Sequence, residues 1–249
     1  MSFKGEDADN HKVNNLFIPY SNWGAEVALD GNLVKKNLLE IKKKVVPLKP
    51  RIIGVTKYFG VNAIEMGYNA GLRDFGESRA LDAIDKIKKI PLEIRENSKF
   101  HFIGHLQTNK VNRVVEYFDY IHSVDSLKLA KVISDSACRL KRRVKVLLQV
   151  NNACEEKKYG YLREILWQDF PKIIDLDGLE VVGLMNMAVL GASELDIRNV
   201  FRELRLMRDD LERDFGVKLS ELSMGMSDDF HIAVEEGATM IRIGRKLFK

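Results

Sequence analysis

The stretch Arg51-Ile-Ile-Gly-Val-Thr-Lys57 is a short, β-branched apolar run that ends on a primary amine and opens into a loop at Gly60. Bounded by turn signals and too short for a helix, it reads as a buried strand of an α/β chain. Seven further runs of this kind follow, over residues 72–76, 99–104, 119–124, 144–151, 179–187, 219–226 and 239–244, each ending near Gly, Ser, Asn or Lys. Between them the apolar residues change to a helical period, as in Leu162, Ile165, Leu166, Phe170, Ile173 and Ile174, or Ile197, Val200, Phe201, Leu204, Met207, Leu211 and Phe215. Each such segment is one apolar stripe on a polar cylinder. Ser193 stands three residues before Asp196 in a capping-box arrangement, and Gly71, Gly216 and Gly237 fall where helices stop. A leading helix over residues 35–45, with Val34, Leu38, Ile41 and Val45 on one side, precedes the first strand.

Strand–helix alternation allows either an open doubly wound sheet or a closed barrel. Eight strands favour closure, and about 250 residues is the usual size of such a barrel. The expected fold is therefore α/β, a single (β/α)8 TIM-type barrel over residues 31–249 with an extra N-terminal helix. Residues 1–30 lack periodicity and are expected to be flexible or loosely packed. A dinucleotide-binding sheet would carry a Gly-x-Gly-x-x-Gly turn after its first strand; here that turn is Lys57-Tyr-Phe-Gly60.

The charge pattern excludes other classes. Forty Lys+Arg against 36 Asp+Glu leave a formal net charge of +4, spread along the chain rather than gathered in a stripe, which argues against nucleic acid. The densest basic run, residues 139–145 (RLKRRVK), lies between a helix and a strand and reads as a solvated turn. Cys138 and Cys154 show no C-x-x-C spacing, so neither a disulfide framework nor a thiolate zinc site is expected. The first residues, MSFKGEDADNHK, contain no apolar stretch, and no run approaches the ~18 residues of a membrane span. A cytoplasmic protein in a reducing compartment, without membrane contact, is the expectation.

In a barrel of this type the strand ends converge on one mouth, where the chemistry sits. Lys57 ends the first strand; Phe75-Gly-Glu-Ser-Arg79, His101-Phe-Ile-Gly-His105, Gly183-Leu-Met-Asn-Met187, Ser223-Met-Gly-Met-Ser227 and Arg242-Ile-Gly-Arg245 end others. The loops after strands seven and eight form the recurring phosphate site of these barrels, and Ser223, Gly225, Gly244 and the Arg245 amide suit it. Asp228 and Asp229 would repel an anion placed directly on the following helix, and they also fit ordinary helix capping. A lone strand-end lysine is normally solvated. Opposite a phosphate site, however, it meets the requirement for a Schiff base with pyridoxal phosphate, in which phosphate anchors one end and lysine captures the aldehyde. Attack needs the neutral amine, a form that desolvation and a nearby cation favour.

Gly54-Val-Thr-Lys57, Phe75-Gly-Glu-Ser-Arg79, the run from Phe100 to Lys110, His122-Ser-Val-Asp125, Leu148-Gln-Val-Asn151, Gly183-Leu-Met185, Leu222-Ser-Met-Gly-Met-Ser-Asp228 and Arg242-Ile-Gly244 occur in one order along the chain. This set resembles the pyridoxal-phosphate homeostasis protein family from about Val34 to Phe248 and implies a barrel similar to the alanine racemase N-terminal domain. The resemblance further implies pyridoxal phosphate on Lys57 and a non-catalytic role as carrier or regulator in vitamin B6 and amino-acid homeostasis. It assigns the phosphate to Ser223 and Gly244, sets Arg242 near the pyridine nitrogen, and lines the ring pocket with Ser78, His101 and Met185. Pyridoxal-phosphate-dependent apoenzymes are the implied partners, and a monomer is expected. Ser78 stands where Asn often follows Phe-Gly-Glu, and the carboxyl end, Arg245-Lys-Leu-Phe-Lys249, lacks the usual Gly after Phe.

Other candidates have simpler readings. His101 and His105 lie about 13 Å apart if extended, too far to chelate one ion, and no metal is expected. His122 reads as a satisfied barrel residue. The methionines read as packing, Met185 excepted, and Lys157 and Lys158 as solvated loop residues rather than a second aldehyde site. The enzymatic alternative is a pyridoxal-phosphate-dependent amino-acid racemase or related enzyme using Lys57 with Tyr58 or His101. A third reading is a phosphosugar barrel enzyme in which Lys57 acts on the substrate itself. Racemisation needs acid/base groups on both faces of the substrate carbon, and racemases of this barrel type draw one from an additional domain. The barrel is expected to use the whole chain, which favours the carrier.

Overall fold

The structure is a computed structural model and describes residues 29–152, 159–189 and 191–249. Cys154, Lys157, Lys158 and nearly all of the leading segment lie outside the described residues. Eight parallel strands, β1 (Arg51–Val55), β2 (Asp74–Glu77), β3 (Lys99–Phe102), β4 (Tyr120–Val124), β5 (Val144–Gln149), β6 (Leu179–Met185), β7 (Glu221–Ser223) and β8 (Met240–Ile243), pair in sequence order into a closed barrel. β1 closes it against β8 with Ile53 opposite Arg242 and Gly54 opposite Ile243.

Each strand feeds a helix, in order α2 (Val61–Asn69), α3 (Ala80–Lys89) with a short α4 (Leu92–Glu96), α5 (Val111–Tyr117), α6 (Leu127–Arg139), α7 (Arg163–Ile174), α8 (Glu194–Phe215), α9 (Phe230–Glu235) and α10 (Arg245–Phe248). The leading helix α1 (Gly31–Lys44) starts four residues before the expected position, because the Asp30 carboxylate accepts the Asn32 N–H and sets its N-cap. Its buried stripe, Val34, Leu38 and Ile41, packs toward α2 and α10. Ser193 caps α8 as the sequence suggests: its Oγ accepts the Asp196 N–H at 3.2 Å. Gly216 ends that helix in the left-handed conformation, φ 66°. Several strands stop one to three residues short of the expected ends, β7 at Ser223 rather than at residue 226, while β2 runs one residue past its own, to Glu77.

The apolar side chains separate into two populations. A large outer shell between strands and helices includes Phe75, Phe102, Phe170, Phe201 and Phe230, while a small inner cluster of Ile53, Tyr120, Leu147, Val182, Met185 and Met240 fills the barrel. That division is the physical signature of a packed barrel rather than a pore. The basic run over residues 139–145 does more than meet water. Arg142 donates to the carbonyls of Glu116 and Phe118, and Arg143 to that of Leu179, tying off helix and strand ends.

Candidate functional site at the carboxyl-terminal mouth

Thr56, the residue before Lys57, is fixed from the side of β2. Its hydroxyl donates to the buried Glu77 carboxylate at 2.7 Å, and Lys86 of α3 donates to both Glu77 and the Thr56 carbonyl at 2.8 Å. A buried carboxylate held by a lysine and a hydroxyl is costly to disturb, so this cluster makes the turn carrying Lys57 stiff. The Lys57 side chain is half-buried, with its ammonium 4.8 Å from the centre of the Tyr58 ring.

The β7 loop and the start of α10 face one another beside it. Gly225 has φ +87°, and a Cβ there would lie 2.5 Å from that of Ala233, so only glycine lets the loop turn this tightly against α9. Arg242 N donates to the Gly225 carbonyl at 3.0 Å, and the Asp229 carboxylate accepts the Met226 N–H at 2.5 Å. Asp229 is thus turned inward as a cap, while Asp228 meets Arg245 at 3.4 Å. Neither carboxylate is directed at the mouth alone. Gly244 stands beside Val55, a Cβ on it falling 3.5 Å from the Val55 Cβ, which brings the β8 loop within two residues of Lys57. Ser227 is half-buried on the rim, its Oγ 3.5 Å from the Lys246 N–H.

Beneath the loops lies Arg242, 4% exposed. It donates through Nη1 to Ser223 Oγ at 2.7 Å and through Nη2 to the Asn186 carbonyl at 2.8 Å. Burial pushes its guanidinium down to about 10, with the Asp229 charge pulling the other way, so it remains a cation at neutral pH. Its hydrogen bonds among the described residues go to neutral groups.

Ser223 is therefore placed deeper than a phosphate ligand on an open loop: it is fully buried, and its Oγ also meets His122 Nδ1 at 2.9 Å. His122 Nε2 meets His101 Nδ1 at 2.9 Å, and His101 Nε2 meets Asp74 Oδ1 at 2.9 Å. His101 also stacks on Tyr120, ring centres 4.4 Å apart. Burial lowers the proton affinity of both imidazoles, and for His122 the charges of His101, Arg242 and Arg51 lower it further. Burial thus favours the neutral form of both rings, with the Asp74 hydrogen bond opposing it at His101. Met185, opposite Ser223 in register, belongs to the inner apolar cluster.

Ser78 sits elsewhere, in a cavity of about 300 Å³ between the β2 and β3 loops, with Arg79, His105, Gln107 and Lys110 in its wall. His105 stacks on Tyr159 at 3.7 Å and approaches Asp125 at 3.6 Å, away from His101. The structure thus brings Lys57, Ser223, Arg242, Gly244 and Met185 to the seam and interior of one mouth, puts His101 one layer below, and sets Ser78 to the side. Three residues escaped the sequence reading. Asp74 ends the histidine chain; Asn186 supplies the carbonyl that holds Arg242; Ser227 occupies the rim. No local signal marks the Asn186 contact, because it runs through the main-chain carbonyl that every residue carries.

The family model for the alanine racemase N-terminal domain matches residues 29–249. The chain is 41% identical over 203 residues to the pyridoxal phosphate homeostasis protein of Synechocystis sp., covering 82% of this chain and 92% of that one. The protein of the same name from Aquifex aeolicus is 39% identical over 201 residues, with 80% and 86% covered. The structure of PipY of Synechococcus elongatus PCC7942 with PLP bound matches at a TM-score of 0.80 and 35% identity, over 87% of this chain and all (100%) of that one. An alanine racemase of Clostridium difficile 630 shares the fold, with a TM-score of 0.72 at 16% identity over 88% of this chain and 57% of the racemase. Fold and site together define a barrel of the alanine racemase N-terminal type, with an amine and a buried guanidinium at its mouth. Within that class, the chain belongs to the pyridoxal phosphate homeostasis protein family.

Proposed function

We propose that this chain binds pyridoxal phosphate at the carboxyl-terminal mouth of the barrel, attached through Lys57, and acts as a carrier or regulator of that cofactor rather than as an enzyme. The observation that carries the reading is Arg242: a fully buried guanidinium whose partners, Ser223 Oγ and the Asn186 carbonyl, are both neutral. A buried cation whose hydrogen bonds go to neutral groups, with Asp229 acting on it only as a nearby charge, is costly to keep and is retained where a ligand completes its environment. A phosphorylated heteroaromatic aldehyde whose ring nitrogen can accept a hydrogen bond suits the three groups gathered here. When bound, pyridoxal phosphate supplies an aldehyde that condenses with a primary amine.

The chain's own residues divide the remaining work. Lys57 presents the amine from a turn stiffened by Thr56, Glu77 and Lys86. The loop amides around Gly225 and Gly244, with the Ser227 hydroxyl on the rim, hold the phosphate; Ser223 serves that end by fixing Arg242. Arg242 faces the ring, and Met185 with its apolar neighbours excludes water beneath it. His101 and Ser78 support the pocket from the layer below and from the side. The carrier reading is favoured over racemisation because His101 and His122 have both ring nitrogens engaged inside the barrel and are not free to exchange protons with a substrate carbon. In this reading a cytoplasmic monomer supplies the cofactor to apoenzymes that need it.

Purified protein incubated with pyridoxal phosphate, reduced with borohydride and digested is expected to yield a single modified peptide, at Lys57. Lys57→Ala should lose the adduct and the visible absorption band completely. An adduct confined to another lysine refutes the attachment site. Chiral chromatography of alanine and serine incubated with loaded protein tests the carrier reading: Lys57-dependent interconversion at the ~1 to 1000 per second of ordinary enzymes overturns it.

A further inference from the structure

Five polar side chains form one continuous line through the barrel: Arg242, Ser223, His122, His101 and the partly buried Asp74, joined by contacts of 2.7, 2.9, 2.9 and 2.9 Å. Asp74 opens β2 at the amino-terminal end, where it also faces Arg51 Nε at 3.7 Å. Five strands contribute to this line, and three of its links join residues 27, 21 and 101 positions apart in the chain. No contact between neighbours in sequence produces it.

The two ends of the line set its direction. A guanidinium can only donate, so Ser223 Oγ accepts from Arg242. An ionised carboxylate can only accept, so His101 must carry its proton on Nε2 and direct it at Asp74. A neutral imidazole has one donor and one acceptor, so His101 Nδ1 is then bare and accepts from His122 Nε2–H. His122 Nδ1 is bare in turn and accepts the Ser223 hydroxyl proton. Every donor along the line points from the carboxyl-terminal mouth to the amino-terminal one.

We propose, resting on the cofactor site described above, that Asp74 is a positioning residue for the ring-facing arginine at the opposite end of the barrel. By fixing the tautomers of His101 and His122 it turns the Ser223 hydroxyl proton inward and leaves the oxygen lone pair as the anchor of Arg242. Without the carboxylate the line loses its polarity. An amide at position 74 can rotate to donate to His101 Nε2; both histidines then carry their protons on Nδ1, His122 donates to Ser223, and the Ser223 proton is freed to compete for the space Arg242 occupies. The loss would be felt at the cofactor, although Asp74 touches neither it nor Lys57.

The test has two parts, and the first needs no cofactor. Long-range proton–nitrogen spectra of protein labelled in its histidine rings should show His101 and His122 neutral, with the proton on Nε2 in both. A proton on Nδ1 of either ring, or a charged ring, at neutral pH overturns the proposal. Asp74→Asn, which preserves size, is expected to give mixed or reversed tautomers in both rings and to release pyridoxal phosphate about tenfold faster, while still forming the Lys57 adduct. Unchanged tautomers, or changed tautomers with unchanged release, also overturn it. Wild-type protein that retains no pyridoxal phosphate refutes the reading of the site itself. That failure is distinguished by the parent protein, whereas failure of the Asp74 role is seen only in the variant.

Discussion

At the amino-terminal end of the barrel Arg51 meets Asp74 at 3.7 Å, Glu221 at 3.4 Å and the Tyr120 hydroxyl at 3.0 Å, while at the other end Arg242 meets a serine and a main-chain carbonyl. The first arginine is partly exposed and paired twice with carboxylates; the second is buried and meets no carboxylate among its hydrogen-bond partners. Direct carboxylate contacts thus go to the more exposed cation, while the buried one has Asp229 only as a nearby charge. We read the amino-terminal mouth as built for stability and the carboxyl-terminal one as the end that takes the proposed ligand. The neutral histidine pair separates the two.

The largest effect expected from breaking this contrast is at the ligand end. Arg242→Met keeps the volume but removes the cation, and should weaken retention of pyridoxal phosphate by about ten to a hundredfold, read by dialysis beside the parent protein. The same variant should leave the stability of the ligand-free protein unchanged or raise it, because a buried charge whose hydrogen bonds go only to neutral groups is removed. A large loss of stability without cofactor would break the comparison.

The histidine pair should make the fold sensitive to acid. Folded-state proton affinity lies below the unfolded value for both rings, so their neutral burial contributes its full stability above pH ~6.5. Below that pH the unfolded chain binds more protons than the folded one. Stability should then fall by up to about 1.4 kcal/mol per pH unit for each histidine until the folded value is reached. Denaturant midpoints measured between pH ~7.5 and ~5 check this, and His122→Gln should reduce the slope. A profile flat over that interval would mean that the rings are not buried neutral.

The smallest effect belongs to the end that is already compensated. Arg51→Met leaves Asp74 and Glu221 facing one another without their shared cation, and should cost about 1–2 kcal/mol of stability in chemical unfolding, with the Lys57 adduct still formed. Equal damage to stability and adduct formation from Arg51 and Arg242 would erase the distinction between the two mouths.

Much of this arrangement was legible in the residues. The change of apolar period from strand to helix, repeated eight times, carries the closed barrel; Ser193, Gly71, Gly216 and Gly237 mark helix ends, where capping chemistry is local. Lys57, Gly225, Gly244 and Arg242 stand out because they fall just where strands run out. Less legible was the depth of each residue. Ser223 reads as a loop hydroxyl and proves to be an interior one; His101 reads as a pocket wall and proves to be the middle of a line; Ser78 reads as part of the mouth and lines a neighbouring cavity. Strand period tells which face a side chain occupies, but the stagger of eight tilted strands decides at what height it sits.

By itself the sequence determined the element order, the closure of the sheet and the position of Lys57 just past the end of the first strand, because these follow from periodicity and turn chemistry between residues close along the chain. The tertiary structure alone decided that Asp74, His101, His122, Ser223 and Arg242 share one line, and that the hydrogen bonds of the Arg242 guanidinium among the described residues go to a serine and a main-chain carbonyl. The reason is physical. A hydrogen bond requires atoms within about 3 Å, and for residues on different strands that distance is set by register and barrel stagger, quantities that no local pattern encodes.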